Sequence, residues 1–472
     1  MMHRPAEIRV GSAGLPAWRI VLGGLLCGVA AAGLLQYLLG TKALVQIWFL
    51  SLLLLLLASA GLLLEAIGAL LGSGRLALDF FAPHIAFPLT FALLYTVGGL
   101  RQAYQWQPSQ ATAFFSYYFL GLLVFYGGGL LMTLLTRHGA PHRPLRCEWL
   151  PHRVVLATGV LFAASALVTL WIVAQAGLPV LRADVETART LVLRQVGGYV
   201  YHFARTMAVP AVLAAVYLFT RFRSLSGLRR LLWLLVIACS LLALASSGYR
   251  NGAAAVLLTA LVVFSYAVRR IKGQQVAVFV LAFSLLIGAY GFFRNQGTVT
   301  WEMAGIWQRV LHEIGLPHFT FTTIWNRFPS DLAFFRGRGM TLTFLALAPG
   351  QQPVLGPLLK ELLGLQYAGG GFAPSILGSF YLEFGTPGIV VGMFLCGLVL
   401  ALLYGWMRRR PNEYRVIVYS FVLVYCLEAI RDGMLKDIFP IWFLIVLFVV
   451  NVYCRRSPRL TLSWRRPGGG RG

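Results

Sequence analysis

The sequence predicts an all-α fold, a polytopic membrane helical bundle, and three observations carry the prediction. Hydrophobic residues make up 58% of the 472 and charged ones only 12%, with a mean hydropathy of +0.75, a balance outside the range of soluble domains. Apolar runs of about 20 residues recur along the chain, the length a helix needs to cross the hydrocarbon core. Runs such as 52–57 and 276–283 are apolar without interruption, so the alternation a membrane barrel requires is missing.

Taken in order, the spans are expected near 19–39, 43–64, 84–101, 113–135, 153–176, 203–220, 229–247, 251–269, 275–293, 389–407, 414–431 and 436–454, about twelve in all. The first follows a basic leader, is long enough to span and lacks a small-residue cleavage site, so it is expected to be retained. An even number places both termini on one side. On that parity every dense basic group, at 137–153, 221–230, 269–272, 408–415 and in the tail, falls on the side of the termini, which the positive-inside rule makes cytoplasmic. The net charge of +25 is thereby explained as an orientation signal, and no nucleic-acid partner is implied. The domain reading is one polytopic membrane domain over 1–472, with a large outward loop at 294–388 between the ninth and tenth spans and a basic cytoplasmic tail at 455–472. None of the six cysteines lies in the long loop, and no structural disulfide is expected.

Chemistry is expected on the outward side, where cations are nearly all arginine. A guanidinium binds phosphate through a planar fork, and it keeps its charge near lipid. Arg250 sits in a short turn directly before a span and is the leading catalytic candidate. Arg294 leaves the ninth span, Arg431 closes the eleventh with Glu428 at i−3, and Arg205 lies inside the sixth, where a charge needs a partner or a wet cavity. These three are substrate-binding candidates. The run Gly369-Gly370-Gly371 can form a backbone nest, and Pro374-Ser375 opens a helix running to about Phe384, so these glycines and Ser375 are candidates for holding an anion. Gly385-Thr386-Pro387-Gly388 should interrupt that helix. Glu383 then stands at a break near the interface, either as a general base or as a solvated or arginine-paired carboxylate.

Within the same loop Ile306, Val310 and Ile314 mark a short amphipathic helix, expected to lie on the membrane or cap the bundle, with Arg309 and Glu313 as a surface pair. His318 is a second general-base candidate with a structural alternative. No metal-ligand spacing, P-loop or dinucleotide fingerprint is present, so neither metal nor cofactor is expected.

The stretch from Gly369 through Ser375, Ser379 and Glu383 to Gly385, leading into Gly388 and Gly392, resembles the oligosaccharide repeat-unit polymerases of the Wzy (O-antigen polymerase) type. Gly177-Leu178-Pro179, Gly248-Tyr249-Arg250-Asn251-Gly252 and Arg431-Asp432-Gly433 look like counterparts in the same order, from about residue 80 onward. The resemblance implies an inner-membrane glycosyltransferase. It would polymerise undecaprenyl-diphosphate-linked oligosaccharides on the periplasmic face, with membrane lipids and the pathway's flippase and chain-length regulator as partners. It also makes 294–388 the periplasmic loop and gives Arg250 and Arg431 the diphosphates to hold. Ser379 stands where similar sequences often carry Glu, with Glu383 one turn later. An O-antigen ligase is the nearest alternative, and a lipid-linked oligosaccharide flippase is the alternative from another class.

Overall fold

The computed structural model describes residues 43–72, 79–102, 108–136, 145–178, 192, 198–246, 250–271, 275, 278–279, 303–345, 355–366, 371–434 and 438–455. The helices are α1 (Ala43–Gly72), α2 (Pro83–Gln102), α3 (Pro108–Thr136), α4 (Pro151–Ala176), α5 (Gly198–Arg205), α6 (Ala208–Arg221), α7 (Gly227–Ser246) and α8 (Arg250–Ala267). They continue as α9 (Met303–Arg327), α10 (Arg338–Leu345), α11 (Leu355–Leu362), α12 (Ile376–Phe384), α13 (Thr386–Arg409), α14 (Glu413–Asp432) and α15 (Phe439–Cys454).

Seven segments among the described residues are long and apolar enough to cross a membrane: Gln46–Leu63, Pro83–Arg101, Ser109–Leu135, Pro151–Ala176, Tyr199–Ser224, Gly227–Ser246 and Thr386–Arg409. Gly252–Ala267 and Phe439–Cys454 are shorter apolar helices, and α14 occupies the expected eleventh span. The expected first span lies outside the described residues, as does all but a few residues of the ninth. Where the sequence suggests one uninterrupted sixth span, the chain makes two helices, α5 and α6, joined by a turn at Thr206-Met207.

Lipid-facing and protein-facing sides differ in side-chain size. On α7, Leu228, Leu231, Leu234 and Leu242 stay exposed, as a helix against acyl chains allows. Between α3 and α13 the contact is backbone to backbone: a Cβ on Gly128 would lie 2.1 Å from the Phe394 carbonyl, and one on Gly397 2.0 Å from the Phe125 carbonyl. Glycine at both positions is what lets these helices meet so closely.

Two polar knots tie helix ends at one face. Asp79, buried ahead of α2, accepts hydrogen bonds from Tyr266 near the end of α8 (3.0 Å), from Tyr404 of α13 (2.8 Å) and from the Phe81 amide (3.2 Å). Arg408 donates to the Tyr404 hydroxyl at 3.1 Å. In the second knot the Glu413 carboxylate accepts the amides of Glu148 (2.9 Å) and Trp149 (3.4 Å), and the Trp149 indole donates to Asn451 at 3.0 Å. Arg415 donates to the Trp406 carbonyl at 3.1 Å, joining the end of α13 to the start of α14. The starts of α2, α4 and α14 and the ends of α8, α13 and α15 therefore share a face with Arg408, Arg409 and Arg410. Helix direction places the other ends of these elements, with Arg250, Thr386 and Arg431, at the opposite face.

The segment expected as an outward loop carries more order than its polarity suggests. Its amphipathic helix, α9, runs on through Pro317 to Arg327. It packs on α2, where a Cβ on Gly98 would meet the Gly315 carbonyl at 2.8 Å, as the alternative of a helix capping the bundle expects.

Candidate functional site

The helix α12 is the centre of the region, and it begins where Pro374-Ser375 suggests. Ser375 is its N-cap, fully buried with φ of 59°, and its hydroxyl oxygen accepts the Gly378 amide at 3.4 Å and the Tyr95 hydroxyl at 3.3 Å. The Ser379 hydroxyl donates to the Ser375 carbonyl (2.8 Å) and accepts the Met434 amide (3.2 Å), which fastens α12 to the chain leaving α14. Gly385, with φ of 65°, ends the helix and starts α13. Ser375 is thus spent on capping and on α2.

Of the glycine run, Gly369 and Gly370 lie outside the described residues. Gly371 packs against the start of α11: a Cβ there would lie 2.6 Å from the Gly356 carbonyl carbon, and the Phe372 amide donates to the Gly356 carbonyl at 2.9 Å. The space beside Gly371 is filled by backbone.

Glu383 is 3% exposed. Its Oε2 accepts the Gly337 amide at 2.7 Å and its Oε1 the Met340 amide at 3.0 Å, at the N-terminus of α10. Burial pushes the carboxyl above the usual range, and the amides of Gly337, Met340 and Gly339 oppose that shift by favouring the carboxylate.

His318 is fully buried, between α9, α2 and α3. Its Nδ1 is hydrogen-bonded to the Tyr118 hydroxyl at 2.5 Å, and its ring meets that of Phe114 edge-on at 6.1 Å. Desolvation lowers its pKa to about 3, so the imidazole is neutral at physiological pH. Tyr117, one residue from Tyr118, pairs its hydroxyl with that of Thr386 at 3.2 Å and packs edge-on against Tyr381 at 5.7 Å. Neither tyrosine stands out in sequence, because an aromatic residue in an apolar span reads as packing.

The arginines separate into distinct environments. Arg431 donates to the Glu313 carboxylate of α9 at 2.5 Å and approaches Asp432 at 3.6 Å. Its near partner is therefore Glu313, and Glu428, the partner that spacing suggests, adds a further attraction. Arg205, 7% exposed, lies over the Phe439 ring with its Cζ 4.4 Å from the centroid. It lines a small cavity with Gly177, Leu178, Tyr201 and Ser246, at the ends of α4, α5 and α7. Arg250 opens α8 four residues beyond Ser246, and Arg294 lies outside the described residues. Among the described residues no group of three His, Cys, Asp or Glu could hold a metal ion.

Fold and site define an α-helical membrane protein with Arg250 and Arg431 at helix ends opposite the face of Arg408 to Arg410. A family profile described as "Putative O-antigen polymerase" matches residues 79–444, most of the chain, and the chain belongs to that family. No curated protein and no solved structure matches it.

Proposed function

We propose that the chain is a membrane glycosyltransferase that polymerises undecaprenyl-diphosphate-linked repeat units on the periplasmic face of the inner membrane. The observation that carries this reading is the separation of faces. Arg250, Arg205 and the junction of α12 with α13 stand at helix ends opposite the face that holds Arg408 to Arg410, and cytoplasmic enrichment in basic residues would put those ends outside. Both termini are then cytoplasmic, the two undescribed spans complete about twelve, and 294–388 is periplasmic although much of it is packed on the bundle.

In this reaction the growing glycan leaves one lipid diphosphate, and a sugar hydroxyl of a second lipid-linked repeat forms the new glycosidic bond. The leaving diphosphate takes the bonding electrons, the proton of the acceptor hydroxyl passes to that diphosphate or to water, and fixed cations lower the barrier by stabilising the developing charge. Arg250, with Arg294 and Arg205, is assigned this task. Both substrates are held by their lipid tails, so alignment at the interface supplies a further part of the acceleration. Arg431 meets carboxylates on two sides and is assigned to joining α9 with α14. His318 is assigned to joining α9 with α3 through the bond of its Nδ1 to Tyr118, and Glu383 to holding the turn that fills both of its carboxylate oxygens.

Gene deletion tests the reading against ligase and flippase. Loss of a polymerase leaves surface glycans of a single repeat. Loss of a ligase leaves long glycans on the lipid carrier, and loss of a flippase leaves no repeat outside. Either of the last two phenotypes would overturn the proposal.

A further inference from the structure

The sequence Arg336-Gly337-Arg338-Gly339 forms a turn that no sequence motif singles out and that the glycosyl-transfer chemistry leaves unused. Arg336 has φ of 52° and Gly337 φ of 91°, two successive left-handed residues, and the first is a long side chain that seldom adopts this conformation. Such a residue persists only where its surroundings hold it. Here the holding group is Glu383. The Arg336 amide donates to the Glu383 carbonyl at 2.9 Å, the Gly337 and Met340 amides to its two carboxylate oxygens, and the Phe335 amide to the Leu382 carbonyl at 3.0 Å.

The glycines make room for that carboxylate. Gly339 is buried, and a Cβ on it would lie 2.2 Å from Oε1 of Glu383. With glycines facing the carboxylate, the alternate residues Arg336 and Arg338 are left exposed. Phe384, also exposed, follows Glu383 directly. A carboxylate enclosed in this way has no free oxygen directed at solvent, so it cannot approach an acceptor hydroxyl as a base must. What it can do is fix the turn on which two guanidiniums stand.

We propose that Glu383 is a positioning residue whose carboxylate clamps the Arg336-Gly337-Arg338-Gly339 turn, so that Arg336 and Arg338 form an anion-recognition edge for the lipid-linked substrate. The inference rests on the polymerase reading for its substrate. The anion is a phosphate of the lipid diphosphate or a carboxylate of an acidic sugar, since a guanidinium fork accepts either. Arg327, nearby and exposed, differs in being paired with Asp331 at 2.8 Å, and it serves as the control.

The test combines hydrogen exchange with kinetics on the purified full chain in detergent. In Glu383→Gln the amides of Gly337 and Met340 should exchange at least about tenfold faster than in wild type, because a carboxamide supplies one oxygen where the carboxylate supplied two. With lipid-linked repeats as substrate, Glu383→Gln and the surface pair Arg336→Gln/Arg338→Gln should each raise KM roughly tenfold with kcat within about threefold. Adding Glu383→Gln to the pair should change KM little further, whereas Arg327→Gln should match wild type. An effect that persists with neutral-sugar repeats assigns the anion to the diphosphate, and one that vanishes assigns it to the glycan. Unchanged exchange, or a Glu383→Gln variant that loses kcat at unchanged KM, overturns the clamp. Failure of wild type to extend any repeat overturns the polymerase reading instead, and the exchange result still decides the clamp.

Discussion

Arg431→Gln removes the guanidinium that joins α9 to α14, and the cost follows from its two contacts. The 2.5 Å charge-assisted bond to Glu313, between side chains 23% and 13% exposed, contributes about 1.5–3 kcal/mol. The 3.6 Å approach to Asp432 adds up to about 1 kcal/mol. Loss of the arginine also leaves Glu313 half-enclosed without its counter-charge, so a total of about 2–4 kcal/mol is expected. Unfolding titrations in mixed micelles, run as a double-mutant cycle with Glu313→Gln, measure it. The double variant should be more stable than the sum of the single effects predicts by about 1–2 kcal/mol, and its glycan ladder should return with its stability. Additive losses would refute the pairing. A double variant that folds as well as wild type and yet makes no polymer would show that Arg431 serves the reaction.

The remaining expectations concern separate regions. Arg250→Lys keeps the charge and loses the planar fork, so chain extension should fall roughly thirty- to a thousand-fold, a loss of about 2–4 kcal/mol, with expression unchanged; wild-type ladders would leave Arg250 as a membrane anchor. His318, with its pKa lowered to about 3, binds fewer protons folded than unfolded, so its contribution to stability is complete above the unfolded value of 6.5 and is lost as pH falls toward 3. At pH 5 that loss amounts to about 2 kcal/mol, and it should be absent from the pH profile of His318→Phe; equal profiles would place His318 in a wetter environment. Gly397→Val sets side-chain atoms against the Phe125 carbonyl, and a Cβ only 2.0 Å away cannot be accommodated without parting α3 from α13, so well over 3 kcal/mol should be lost, read as failure to recover monodisperse protein.

Much of the fold is legible because lipid-crossing helices announce themselves by length and composition. The start of α12 is legible too, since Pro374-Ser375 supplies a cap and Gly385-Thr386-Pro387 a break, both local signals. The partners of the charged residues are not. Spacing offers Arg431 only Glu428, whereas its near partner lies 118 positions away on α9. Amphipathicity marks α9 as a helix, but it cannot tell one packed on α2 from one laid on lipid, because either would bury an apolar face. What decides is the pair of glycines, Gly98 and Gly315, whose closeness appears only once the helices are placed. Glu383 likewise looks available for chemistry until the turn 46 positions earlier fills both of its oxygens.

Extension of lipid-linked repeats by the purified protein tests the central claim most directly. Glycosyl transfer needs no second compartment, so wild-type protein in detergent, given only undecaprenyl-diphosphate-linked repeats, should produce a ladder of longer glycans and release undecaprenyl diphosphate, one per bond formed. No extension in detergent, together with movement of the same lipids across vesicle membranes that contain the protein, would contradict it.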